Sequence, residues 1–303
     1  MAPRQRMIRW LRWGFALAVV ALLLVAPSWR NYYLPRRTVR VLPDLRYAEN
    51  STHAKQALDL YLPTLTVGPW PVAVFIHGGY WKPQDRRYLQ PLTGLNGCVG
   101  VALANRGIAT AVVGYRQFPD APSLGAALDD VAQALRYVSE HIEEYGGDRR
   151  RIFVIGHSAG GLLTQLLASG RELEQRSGLG RNAVRGFISL GGVSDLPAFL
   201  PQVDAELAER IRLSVVDDAG LRRFSPRLQL RADHPPLLLL VGDREHPALL
   251  ADHRAMSAAL RELGGDFETA ELAGLDHMDL IMKLYQRENP VADEILGFVV
   301  RHR

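Results

Sequence analysis

The sequence predicts an α/β fold: a mostly parallel central sheet with helices on both faces and a short helical cap. Three observations carry this. Apolar runs such as Pro71-Val72-Ala73-Val74-Phe75-Ile76 lack polar alternation, as strands buried on both faces do. From Leu124 to Tyr145, Leu128, Val131, Leu135, Val138 and Ile142 recur at spacings of three and four, the period of an amphipathic helix. Strand and helix patterns then alternate along most of the chain, the mark of parallel βα units.

The elements follow in order. Strands are expected at 57–62, 71–76, 109–114, 151–155, 186–190, 236–241 and 267–272. Helices are expected at 124–145, from Ser158 onward, at 248–263 and at 290–302. The stretch 192–235, with Pro197, Pro201 and Pro226, breaks the rhythm and is read as the cap insertion. Residues 31–54 are read as a linker and 55–303 as the main α/β domain. A length of 303 residues accommodates one such domain.

Before the linker, residues 1–30 read as a membrane anchor or signal segment. Trp13 to Trp29 carries no charge, close to the shortest span that crosses a bilayer. No clean A-x-A cleavage pattern directly precedes Pro27, and Trp10, Trp13, Trp29, Tyr32 and Tyr33 resemble interfacial belts. The reading is an uncleaved single-pass helix, with a cleaved signal as the alternative. It places the domain on the outer, periplasmic side of a bacterial inner membrane and favours substrates that partition into membranes. Eight arginines and no acid lie in residues 1–40, leaving 28 bases against 32 acids elsewhere. The net charge of +4 therefore reflects the N-terminal segment, not a nucleic-acid-binding face. The single cysteine, Cys98, forms no disulfide within one chain and reads as packing.

The chemistry centres on Gly156-His157-Ser158-Ala159-Gly160. The G-x-S-x-G pattern arises by chance roughly 0.1 times in a chain of this length, at about 7% usage per residue. Its place at the end of an apolar strand and the start of a helix makes it a nucleophile elbow. A serine hydroxyl needs a base, and the base an orienting acid. Downstream, His277 lies after the last strand and before a helix, and is the candidate base. The acid is expected after strand 236–241, where Asp243 and Glu245 compete. Backbone amides must meet the oxyanion. Ala159 supplies one, and the glycine-rich loop His77-Gly78-Gly79-Tyr80-Trp81 supplies the others from Gly79 and Tyr80, with Gly78 allowing the turn.

The remaining polar residues read as scaffold. His77 and His157 are expected to be hydrogen-bonded framework. Asp120, Asp129 and Asp130 are expected at a helix start or on its exposed face, and Asp195 in a turn. Trp81, Tyr115 and Phe118 either line the acyl pocket or pack. No spacing suggests a metal.

Residues of about 55–300 resemble the α/β-hydrolase fold. His77-Gly78-Gly79-Tyr80-Trp81, Tyr115-Arg116-Gln117-Phe118-Pro119, and Tyr145-Gly146-Gly147-Asp148 running into the serine elbow resemble one branch of it. That branch contains isoprenylcysteine methylesterases, kynurenine formamidases and small bacterial carboxylesterases. The H-G-G-x-W form is typical of the formamidases. The other two stretches are more like the methylesterases. The resemblance implies hydrolysis of carboxylic esters, or alternatively of aryl formamides, without a cofactor. It also implies an acid three positions after Gly242, which selects Glu245 where most relatives have aspartate. A catalytically dead fold serving as a binding protein is the rival from another class; such proteins typically lose the serine, the histidine or the oxyanion loop, and all three are present here.

Overall fold

A computed structural model describes residues 29–48 and 53–303. Its centre is an eight-stranded sheet of order β1-β2-β4-β3-β5-β6-β7-β8. The strands are β1 (Val39–Arg46), β2 (Ala57–Pro63), β3 (Trp70–Ile76), β4 (Ala109–Val113), β5 (Gly147–His157), β6 (Gly186–Leu190), β7 (Leu237–Gly242) and β8 (Phe267–Leu272). From β4 through β8 every neighbouring pair is parallel, while β2 runs antiparallel to both β1 and β4. The helices are α1 (Gln90–Thr93), α2 (Gly97–Ala104), α3 (Leu124–His141), α4 (Ala159–Ser169), α5 (Glu172–Ser177), α6 (Leu196–Phe199), α7 (Ala205–Val215), α8 (Asp218–Arg223), α9 (Pro247–Leu263), α10 (Asp279–Met282) and α11 (Pro290–Arg301).

Successive side chains of a strand point to opposite faces, and β3 serves both faces of the sheet in this way. Val72, Val74 and Ile76 join one core cluster with Leu128, Val131 and Leu135 of α3 and Leu162 and Leu166 of α4. Ala73 and Phe75 join a second with Val101 and Leu103 of α2 and Ile295 and Phe298 of α11. Both faces are thus covered, which is why these strands read as unbroken apolar runs.

Three expectations need correction. Residues 31–54 are not a linker throughout, because β1 lies within them and pairs with β2 along the sheet edge. It was illegible because most of its residues are exposed or half-buried and Pro43 interrupts it, both properties of an edge strand. Asp130 is not on an exposed face of its helix. It is fully buried, pairs with Arg116 through two bonds of 2.7 and 2.8 Å, and accepts from Gln56. The third correction is the location. The apolar segment of residues 1–28 lies outside the described residues, and among those described no helix is long and apolar enough to cross a membrane. The placement of the protein as a single-pass, periplasm-facing membrane protein is therefore withdrawn.

Between β6 and β7 the chain is helical, as α6, α7 and α8. Asp195, Asp204 and Asp217 cap these helices by accepting the amides of Ala198, Leu207 and Gly220, the usual role of an N-cap aspartate. Leu207, Ile211 and Leu221 seat the segment on the same core cluster as α3 and α4.

Candidate active site

The predicted residues come together at the carboxyl ends of adjacent parallel strands, where open α/β sheets place their ligands. Ser158 follows β5, His277 follows β8 and Glu245 follows β7, while the Gly78-Gly79-Tyr80 loop follows β3.

Ser158 sits at φ 56° and ψ −120°, a conformation that is uncommon outside glycine and concentrates at functional sites. Its neighbours explain the small residues around it. A Cβ on Gly160 would stand 2.1 Å from the Ile76 carbonyl oxygen, and one on Gly156 would stand 2.1 Å from that of Gly160. The elbow therefore closes only with glycine at both places. The Ser158 amide donates to Leu190 O at 2.9 Å, tying the turn to the end of β6. Ala159 opens α4, where first-turn amides have no intrahelical acceptor.

His277 Nδ1 lies 2.7 Å from Glu245 Oε2. A carboxylate accepts, so Nδ1 carries the proton and the ring's lone pair is on Nε2. Glu245 is buried, at 6% exposure, and its Oε1 also accepts the His246 amide at 2.9 Å. Asp243 takes no part in this contact. It is exposed and accepts the Gly274 amide at 2.7 Å, capping the turn before His277. His246 instead heads α9, where its Nδ1 accepts the Ala248 amide.

His157 supports His277 from below. Its Nε2 donates to the His277 carbonyl at 2.9 Å, and the two rings lie 4.5 Å apart. Gly191, at φ 58°, runs beneath the His277–Glu245 pair, and a Cβ there would meet His277 Nδ1 at 3.1 Å. Nothing in its local sequence marks it, because the constraint comes from residues far along the chain.

The Gly78-Gly79-Tyr80 loop lies against the elbow, since a Cβ on Gly78 would meet the Ser158 Cβ at 2.8 Å. Tyr80 adopts φ 55°. Its hydroxyl donates to Asp204 at the head of α7 at 2.6 Å, and the Arg210 guanidinium lies 4.9 Å from its ring. The loop is thereby joined to the helical segment. Tyr115 is buried and donates to His77 O at 2.7 Å, which makes it loop scaffold, not pocket lining. Trp81 is buried and Phe118 half-buried. Among the described residues no cluster of His, Cys, Asp or Glu is placed to hold a metal ion.

Burial pushes three histidines down: His77 to about 4, His157 to about 3 and His253 to about 4. All three rings are therefore uncharged at neutral pH. The unfolded chain binds protons at all three below about pH 6.5, and the folded chain does not. Their stabilising effect is therefore full above that pH and is lost as pH falls toward the folded values. Asp252 opposes this, since burial raises its carboxyl to about 6. Three groups outweigh one, so unfolding at about pH 5 should take up about two net protons. Urea midpoints should fall steadily between about pH 7 and pH 5; a flat or rising series would show that these rings are not buried in neutral form.

With this geometry in view, the likenesses to known proteins fall into one pattern. The chain is 28% identical over 291 residues to a probable isoprenylcysteine alpha-carbonyl methylesterase of Oryza sativa, covering 91% of this chain and 66% of that protein. It is 33% identical over 208 residues to carboxylesterase NlhH of Mycobacterium tuberculosis, covering 65% of this chain and 59% of that one. A kynurenine formamidase of Salmo salar is 25% identical, over 76% of this chain and 73% of its own. The chain thus spans about two thirds of the length of the first methylesterase. Among solved structures, esterase B from Lactobacillus rhamnosis superposes with a TM-score of 0.71 at 22% identity, covering 99% of this chain and 95% of that one. That likeness shows the α/β-hydrolase fold. The sequence model of one family, BD-FAE, matches residues 58–260, which hold the glycine-rich loop after β3, the turn at Ser158 and Glu245. On that match the chain belongs to the BD-FAE family.

Proposed function

We propose that the protein is a carboxylic ester hydrolase working through Ser158, His277 and Glu245. The observation that carries this is the 2.7 Å bond from His277 Nδ1 to buried Glu245, set over His157 beside the serine elbow. Ser158 Oγ attacks the ester carbonyl carbon while His277 Nε2 takes its proton. Glu245 holds the imidazole in the required tautomer and stabilises the imidazolium. The amides of Ala159, Gly79 and Tyr80 meet the oxyanion, with Gly78 allowing the loop to approach. His277 then protonates the leaving alcohol, and water releases the acyl group by the same route.

The names of the methylesterase and carboxylesterase relatives support this substrate class. The formamidase relative and the H-G-G-x-W stretch support a second reading, hydrolysis of an aryl formamide by the same residues. One panel separates them: nitrophenyl esters of rising acyl length, a methyl ester of a prenylated cysteine, and an aryl formamide. An alkylphosphonate probe, located by mass spectrometry, reports on the nucleophile. Ester turnover with labelling at Ser158 is the expected result. Faster turnover of the formamide than of every ester makes the second reading correct. Neither labelling nor turnover overturns both.

A further inference from the structure

We propose that Gln117 is the positioning residue that aims the oxyanion-binding amides of the loop after β3, an inference that rests on the esterase reading of the site. A trans peptide plane carries its carbonyl and its N–H on opposite sides. Holding one residue's carbonyl therefore sets the direction of the next residue's amide.

Three successive carbonyls of this loop are held in that way. The His77 carbonyl accepts the Tyr115 hydroxyl at 2.7 Å. The Gly79 carbonyl accepts the Lys82 amide at 2.9 Å. The Gly78 carbonyl lies between two donors, His77 Nδ1 at 2.6 Å and Gln117 Nε2 at 3.4 Å. The amides opposite these carbonyls belong to Gly78, Gly79 and Tyr80. Among the described residues none of the three donates to a protein acceptor. The loop thus has its carbonyls anchored on one side and its N–H groups free on the other, with Gly78 against the Ser158 Cβ.

Gln117 links the parts of this arrangement. It is buried, at 6% exposure. One hydrogen of its Nε2 serves the Gly78 carbonyl and the other the Tyr115 hydroxyl, at 3.1 Å. Its Oε1 accepts the Gln84 amide at 2.8 Å, on the far limb of the same loop. It also lies directly against the backbone it directs, since a Cβ on Gly79 would approach Nε2 to 2.8 Å. An apolar side chain of equal size would fill the space. It would leave the Gln84 amide without an acceptor and the Gly78 carbonyl with His77 Nδ1 as its one donor, so the peptide plane that presents the Gly79 amide would be held from one side only. Only a primary amide supplies two donors and an acceptor at this point.

The test compares wild type with Gln117→Leu and Gln117→Glu on one nitrophenyl ester, together with inhibition by a trifluoromethyl ketone. That ketone forms a tetrahedral oxyanion on the serine and so reads the hole itself. Gln117→Leu should lower kcat by about 10- to 100-fold, less than loss of a direct oxyanion donor, with KM within about twofold. Affinity for the ketone should fall by the same factor. Gln117→Glu retains the acceptor for Gln84 but turns a lone pair toward the Gly78 carbonyl. Burial and the facing Gly78 carbonyl both disfavour the carboxylate and raise its pKa above the ordinary value, so the loss relative to wild type should be greatest at about pH 8 and shrink as pH falls and the protonated carboxyl regains a donor. A residue that merely packs would show no such recovery. Unchanged kcat and unchanged ketone affinity in both variants, or a change confined to KM, would overturn the proposal. If Gln117→Leu fails to fold, Gln117→Glu decides alone. A wild-type protein with no turnover and no Ser158 labelling would instead remove the esterase reading, and Gln117's role with it.

Discussion

Ser158→Ala should lower kcat for ester hydrolysis by about 10⁴- to 10⁶-fold, leaving the residual rate that the oxyanion hole and substrate binding supply without a nucleophile. The substitution is informative because it removes the chemistry with little else. Ser158 holds φ 56°, and alanine has the same Cβ and meets the same backbone strain. The Ser158 amide keeps its bond to Leu190 O, and the glycine contacts that close the elbow are untouched. The melting temperature should therefore stay within a few degrees of wild type. Steady-state kinetics beside a thermal melt check both halves. A variant that folds and retains near wild-type turnover would sink the nucleophile assignment.

Glu245→Gln should lower kcat by about 10³- to 10⁴-fold, with KM little changed. The glutamine fits the same volume. Its neutral amide cannot stabilise the imidazolium, and when its NH₂ faces Nδ1 it favours the tautomer with the proton on Nε2, which cannot accept one from serine. Asp243→Asn is the paired control. It should stay within about threefold of wild type, because an asparagine oxygen still accepts the Gly274 amide. If the larger loss falls on Asp243→Asn, the acid has been misassigned. Both carboxylates sit in one short loop, so the comparison holds local surroundings nearly constant.

The two carboxylates also show where sequence reasoning ends. Val241-Gly242-Asp243-Arg244-Glu245 presents two acids at the end of one strand, and local pattern does not choose between them. Spacing in similar enzymes favoured Glu245. In the structure, which of the two meets His277 depends on where β8 delivers that ring, some thirty residues later. The buried side of the loop faces that ring, and the exposed side faces Gly274. Asp130 gave the opposite outcome. A carboxylate in an amphipathic helix reads as solvent-facing, yet Arg116 reaches it from a neighbouring loop and pairs with it in the interior. A residue's periodicity reports its own helix, not the charge that another segment brings to it.

What the sequence determined by itself was the part governed by local physics. Apolar runs with the strand and helix periods marked seven of the sheet's strands and the long helices, and the glycines around Ser158 marked a turn that larger residues cannot make. Strand β1, helix α2 and Gln117 were decided only in three dimensions. β1 is an edge strand whose residues are nearly all exposed or half-buried, and α2 is buried all round, so neither shows a one-sided stripe. Gln117 is one amide among many until the fold sets it against Gly78, Gln84 and Tyr115. Backbone propensity and one-sided burial act over a few residues and can be read along the chain. A hydrogen bond that closes across tens of residues has no local signature, because its partner's position is set by the packing of the whole sheet.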